Sequence, residues 1–510
     1  MNAGQQQQFE ALLAHVRETT LLQTAADTLE WDERTGLPER GGDYRAEQVT
    51  LLRGMVHSRR TDPRIGEWLE SLARWEQAAD PNTDIGATIH RMLEDYRRDC
   101  RLPQDLVEAL SRATVRGQQV WDRARREDNY QTFKPALDEV LNLKRRQAEC
   151  LTEDDQPLYD ALLDEYEAGA KTADLKQIFS SLRDELVQLI GEIQQAPKQP
   201  DIEILRRNYP IDKQQVISRT AAALVGFDFQ RGRLDETSHP FCTNLGPDDC
   251  RILTRYEQNW FPGGLFGTLH EAGHGMYDQG LRSQWYGLPP GTFVSLGIHE
   301  SQSRLWENLV GRSLAFWQFF YPQVQAAFPG SLSGTELADF HFALNSVQPS
   351  LIRVEADEAT YNLHIIVRFE LEQALIAGEL TTADLPAAWH DRYRDIVGAT
   401  APSDADGVLQ DVHWSAGLFG YFPTYSLGNI YAAQLFEAAA EQLGNLDEMF
   451  AQGEFSSLLH WLQANVHHYG RNLTPAELIR RSTGALPSSQ PLIRSLRDRY
   501  SRLYGFSDRV

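Results

Sequence analysis

His270, Glu271 and His274 stand in the run Gly267-Thr268-Leu269-His270-Glu271-Ala272-Gly273-His274-Gly275-Met276, an HExxH pattern. An α-helix turns about 100° per residue, so side chains four positions apart project only about 40° from each other. Two imidazoles in that relation can hold one metal ion, typically zinc. Glu271 projects about 100° from His270, beside the ion but outside its ligand set. A carboxylate there suits a general base working on zinc-activated water. Chance alone gives HExxH in roughly 3% of chains of this length and histidine content. The neighbourhood has to decide.

A catalytic zinc takes a third protein ligand and keeps a fourth position open. No third histidine follows at the short metzincin spacing, so the next helix is the place to look for a carboxylate. Gly297-Ile298-His299-Glu300-Ser301-Gln302-Ser303-Arg304 offers Glu300. Leu305, Trp306, Leu309 and Val310 continue that helix as an apolar face, and a buried acid needs a partner. Glu307 is the rival, with Arg304 or Arg312 in reach as ion-pair partners.

Most of the chain that must position these groups carries helical periodicity. The segment Phe9–Leu29 and segments near 44–60, 84–99, 103–126, 133–151 and 172–195 place leucines and valines on one stripe. Thr172 and Thr381 are start signals. Breaks fall at Gly41-Gly42, Pro197–Pro200, Pro289-Pro290-Gly291 and Pro329-Gly330. Phe241–Asn244 and Arg251–Tyr256 read as two short strands around a turn, just ahead of the HExxH helix at 264–279. The expected fold is mainly α: one large domain over 1–510, two helical lobes around a cleft, with one small antiparallel sheet near the site.

The formal charge of −23 opposes binding to nucleic acid or anionic lipid. No apolar run approaches the roughly 20 residues that span a bilayer, and the N-terminus does not read as a secretory signal. Four cysteines without a CxxC pair suggest reduced, buried thiols in a cytoplasmic protein.

Further ordered motifs carry a resemblance. HExxH is followed by His299-Glu300-Ser301-Gln302, Ile352-Arg353-Val354-Glu355-Ala356-Asp357 and Gly407-Val408-Leu409-Gln410-Asp411-Val412-His413-Trp414. His239-Pro240-Phe241 lies upstream, and agreement runs from Trp31-Asp32-Glu33-Arg34-Thr35 through Gly420–Tyr425. Together they resemble the thermostable carboxypeptidase Taq family. Leu253, followed by Thr254, stands where that pattern usually has Thr. The resemblance implies a mainly helical fold with a deep groove and a metal held by His270, His274 and Glu300. It also implies release of single C-terminal residues with broad tolerance, and a homodimer. Zinc is the expected ion, with cobalt as a substitute.

Other site residues follow from that expectation. His413, Tyr425 and Tyr421 lie in a glycine-punctuated aromatic segment that resembles the donor loop of related helical metallopeptidases, and they are candidate donors to an oxyanion. Simple packing of the two tyrosines against the core is the alternative. An exopeptidase must bind a free carboxylate, for which a bidentate arginine is suited. Arg353, Asp357, Thr360, His364 and Arg368 share one face if Leu351–Leu375 is helical, which makes Arg353 the first candidate. An Arg353–Asp357 ion pair without a substrate role is the competing assignment. Arg251 is the second candidate. An endopeptidase or a dipeptide-releasing carboxypeptidase on the same scaffold remains open. A non-catalytic peptide receptor is disfavoured, because Glu271 and all three ligands are present.

Overall fold

The computed structural model describes residues 3–152 and 156–507, and most of them are helical. The long periodic segments become helices at Ala3–Thr35, Gly42–Arg60, Asp84–Arg101, Gln104–Arg126, Tyr130–Leu151 and Thr172–Gln194. The burial is uneven: Leu12 of the first helix is buried but Leu21 is exposed, and Gly42–Arg60 buries Val56 while Leu51 and Met55 face outward. On the last of these helices Leu175, Phe179, Leu182, Leu186, Leu189 and Ile193 point inward. The chain forms two compact units. One comprises Met1–Cys100, Asp201–Leu344 and Leu435–Leu486; the other comprises Arg101–Pro200, Asn345–Gln434 and Pro487–Val510.

The first unit holds the sheet, with β1 at Gly232–Glu236, β2 at Phe241–Gly246 and β3 at Asp249–Thr254, in the order β1-β3-β2. β2 and β3 form the antiparallel hairpin that the sequence suggests. β1 adds a parallel partner to β3, so the sheet is mixed rather than wholly antiparallel. Its sequence, Gly-Arg-Leu-Asp-Glu, is too polar to announce a strand. Leu253 is fully buried, and the neighbouring Thr254 hydroxyl donates to the Gly264 carbonyl of the next helix. The Trp31–Thr35 motif packs on the hairpin: the Arg34 guanidinium lies 5.0 Å from the Phe241 ring centre, and that of Arg251 lies 4.1 Å from Trp31.

The HExxH helix runs Phe261–Gly280, starting three residues before the expected boundary. The helix that carries Glu300, Leu296–Arg304, is capped by Ser295, whose hydroxyl accepts from the Ile298 amide at 3.1 Å. It continues as a π-helical turn over Leu305–Val310. The two helices meet at Gly273. A Cβ there would lie 2.6 Å from both the Gln302 carbonyl oxygen and the Ser303 Cα, which are backbone atoms that cannot swing aside. The absence of a side chain at Gly273 therefore sets how closely His270 and His274 face Glu300. Gly273→Ala favours helix formation locally but forces the pair apart. The expected result is at least a tenfold weaker hold on the metal with unchanged helix content, measured by competition with a chelator and by circular dichroism. Unchanged metal affinity would refute the close-approach argument.

In the second unit, helix Glu358–Ala377 begins later than the sequence pattern suggests. Asp357 is its N-cap and accepts from the amides of Ala359 and Thr360, both at 3.0 Å. Arg353 lies before this cap in a 3-10 turn, Arg353–Glu355. The supposed helical face shared by Arg353 and Asp357 does not exist, and neither does their ion pair.

Candidate metal centre and catalytic groups

Burial and helix spacing bring His270, His274 and Glu300 together in the first unit. Glu300 Oε2 is 3.8 Å from His270 Nε2 and 3.6 Å from His274 Nε2. One donor atom from each residue lies within 4.8 Å of the other two. These gaps exceed hydrogen bonds. They approach the roughly 3.3 Å that separates ligands on a tetrahedral ion bound at about 2.05 Å. The donor set therefore fits a divalent metal.

Surrounding side chains fix each of the three candidate ligands. Arg304 Nε donates to Glu300 Oε1 at 2.7 Å, which turns Oε2 toward the imidazoles. Burial opposes the Glu300 charge, but Arg304 and the two histidines outweigh it and hold the carboxyl well below the usual range. His270 Nδ1 faces Glu307 Oε2 at 2.9 Å, and Arg304 Nη1 donates to the same oxygen at 3.1 Å. Glu307 is thus the carboxylate that orients His270, in addition to the Arg304 pair suggested by sequence. His274 Nδ1 lies 2.5 Å from His299 Nδ1, whose Nε2 is 3.4 Å from Asp278 Oδ1. If His274 Nε2 were to hold a metal, its Nδ1–H would donate to His299, and His299 would direct its remaining N–H at Asp278.

Glu271 is buried and has no side-chain hydrogen bond among the described residues. Burial, working against the attraction of His270, pushes its carboxyl up to about 7. A buried carboxyl without a donor, one position from a metal ligand, is placed to accept a proton.

The remaining candidates, apart from Arg251, lie in the second unit. His413 Nε2 and the Tyr425 hydroxyl are 3.1 Å apart, with the Tyr421 ring 5.5 Å from that of His413. Burial outweighs Asp411, and with Arg353 and Arg368 it takes His413 down to about 3, so the ring is neutral. Glu372 holds this loop from beneath. It accepts from Tyr159 at 2.6 Å, from Trp414 Nε1 at 2.8 Å and from the Gly420 amide at 2.9 Å. Arg353 Nε and Nη2 donate to Asp411 Oδ1 at 3.0 and 2.8 Å, and its Nη1 donates to the Tyr361 hydroxyl at 2.9 Å. Arg368 Nε donates to Asp411 Oδ2 at 2.6 Å. In the first unit, Arg251 is forked onto Asp249, with both contacts at 2.8 Å. Sequence reasoning placed Arg368 on the polar face without giving it a role, and it missed Tyr361 and Glu372; all three sit on the helix Glu358–Ala377 as buried polar residues.

A histidine pair, a carboxylate and a buried, unbonded glutamate on a helical scaffold are the donor set of a metallohydrolase. The family model for carboxypeptidase Taq (M32) metallopeptidases matches residues 11–500, and the chain belongs to that family. It is 46% identical over 505 residues to thermostable carboxypeptidase 1 of Thermus thermophilus, covering 98% of this chain and 99% of that protein. It is 36% identical over 480 residues to carboxypeptidase 1 of Bacillus subtilis, covering 94% and 95%. The crystal structure of an M32 carboxypeptidase from Deinococcus radiodurans R1 superposes with a TM-score of 0.95 at 38% identity, covering 98% of this chain and all of that one. The protein is accordingly a metallocarboxypeptidase. Among the described residues no helix is long and apolar enough to cross a membrane.

Proposed function

We propose that the protein removes single C-terminal amino acids from peptides, with broad tolerance of the released side chain. The observation that carries this reading is the convergence of His270, His274 and Glu300 beside the partnerless Glu271. Zinc is the ion proposed for the three ligands, with cobalt as a substitute. When bound, such an ion supplies Lewis acidity toward the attacking water and the scissile carbonyl. Glu271 takes a proton from that water and delivers it to the departing amine. His413 and Tyr425, with Tyr421, donate to the oxygen that gains negative charge.

Arg353 is proposed to hold the substrate carboxylate. Two buried guanidiniums, Arg353 and Arg368, share the single Asp411, leaving one surplus positive charge where an anion is welcome. Arg251, forked onto Asp249, is the weaker candidate. Because the family match spans both units, residues 1–510 are proposed to serve one catalytic function. Four free cysteines suit a cytoplasmic setting, although Cys100 is exposed rather than buried as the sequence suggested.

The test is elemental analysis beside an assay on free and amidated peptides. Chelation is expected to abolish hydrolysis, and zinc or cobalt to restore it; full activity of metal-free protein sinks the reading. Amidation of the C-terminus should stop cleavage, whereas continued cleavage points to an endopeptidase. Release of dipeptides would replace the single-residue assignment.

A homodimer is proposed from an apolar patch on helices Ala3–Thr35 and Gly42–Arg60. Leu21 is 70% exposed, Leu51 66% and Met55 45%. Leu51→Glu with Met55→Glu should halve the mass seen by light scattering while the metal centre stays loaded. An unaltered mass removes this surface as the interface.

A further inference from the structure

We propose that Cys242, Cys250 and Asp278 form a second cation site, separate from the His270–His274–Glu300 centre and suited to a thiophilic divalent ion such as Zn2+ or Cd2+. The donors come from β2, from β3 and from the last turn of the HExxH helix. In the hairpin register Cys242 opposes Ile252 and Asn244 opposes Cys250, which makes the two cysteines diagonal neighbours. Their Sγ atoms are 3.7 Å apart, and Cys242 Sγ is 3.9 Å from Asp278 Oδ2. One donor atom from each residue lies within 4.8 Å of the other two. A tetrahedral ion bound at about 2.3 Å to sulfur and about 2.05 Å to oxygen spaces its ligands by about 3.8 Å for two sulfurs and about 3.6 Å for sulfur and oxygen. The side chains already stand near those separations. A disulfide would need the sulfurs to close to about 2.05 Å.

Asp278 supplies a second, independent observation. Its side chain is only 7% exposed. Its partners among the described residues are His299 Nε2 at 3.4 Å and the Cys242 thiol at 3.9 Å, neither a close charge-assisted bond. A carboxylate so deeply placed and so weakly paired has acceptor capacity left over, and Oδ2 turns that capacity toward the sulfurs. Two thiolates select a soft or borderline ion, whereas calcium and magnesium demand oxygen donors throughout. Cys242 is half-buried, which leaves a way in. Binding forms two sulfur–metal bonds as two S–H protons leave to solvent, with no electron transferred.

The test titrates the metal-loaded enzyme with Cd2+ in the presence of a phosphine reductant. The His, His, Glu centre contains no sulfur, so a sulfur-to-cadmium charge-transfer band in the ultraviolet reports the thiol site alone. One band-producing equivalent per chain is expected. Cys242→Ser and Cys250→Ala should each lose it while keeping the metal of the first centre. Asp278→Asn should keep the band but weaken Cd2+ binding at least tenfold. The absence of a band in the unmutated enzyme overturns the proposal, and this measurement does not depend on any variant folding. So does a band that survives in the double cysteine variant, since it would then come from Cys100 or Cys150. An unchanged affinity in Asp278→Asn overturns the three-donor site.

Discussion

Glu271→Gln is expected to lower kcat by about 10^2–10^4, the usual contribution of a positioned general base, while metal per chain stays at the unmutated level. The amide preserves the volume of a side chain that is 6% exposed and packed on a fully helical segment. It removes the capacity to accept a proton. Nothing else should change, because Glu271 makes no side-chain hydrogen bond among the described residues and is not one of the three converging donors. Elemental analysis and steady-state release of amino acids separate the possibilities. A kcat near that of the unmutated enzyme removes Glu271 as the base. Loss of metal together with activity would give it a structural role instead.

The parts of the site that were legible in the sequence are those set by short-range geometry. His270 and His274 share a helix, and 3.6 residues per turn fixes their relation before any tertiary contact forms. The long amphipathic helices were equally legible, because 84–99 and 172–195 carry an unbroken apolar stripe and become Asp84–Arg101 and Thr172–Gln194. Glu300 needed the family resemblance, since its approach depends on a helix crossing at Gly273 that no spacing rule encodes. By sequence Glu307 is the rival of Glu300 or an ion-pair partner of Arg304 or Arg312; the π-helical turn of Leu305–Val310 follows Arg304 directly, and Glu307 within it meets His270. The spacing of Arg353 to Thr360 and Arg368 fits a helix. The competing signal was Asp357 followed by Glu358, an N-cap and an acidic first turn, and it wins because a cap satisfies amides that a continuing helix would leave to Ala356 and its neighbours. β1 escaped notice because a parallel strand of five mostly polar residues is defined by its partner.

Arg353→Ala is expected to cut kcat/KM on peptides with a free C-terminus by about 10^2–10^3, as loss of a bidentate charge-assisted contact implies. Metal content and thermal midpoint should move much less. The buried cluster explains why. Asp411 retains Arg368, whose Nε donates at 2.6 Å, so the variant leaves a neutral pair rather than a stranded charge. Asp411→Asn is the opposite case. It leaves Arg353 and Arg368, 6% and 0% exposed, as two guanidiniums without a counterion, and should cost about 3–5 kcal/mol of stability. Arg353→Lys should fail to rescue activity, because an ammonium cannot reproduce the fork. The two variants thus separate binding from scaffolding: Arg353→Ala is read in KM and in discrimination between free and amidated peptides, Asp411→Asn in the denaturation midpoint. If Arg353→Ala loses stability as severely as Asp411→Asn, or keeps its full preference for free C-termini, Arg353 holds the fold of its own unit and another group captures the substrate carboxylate.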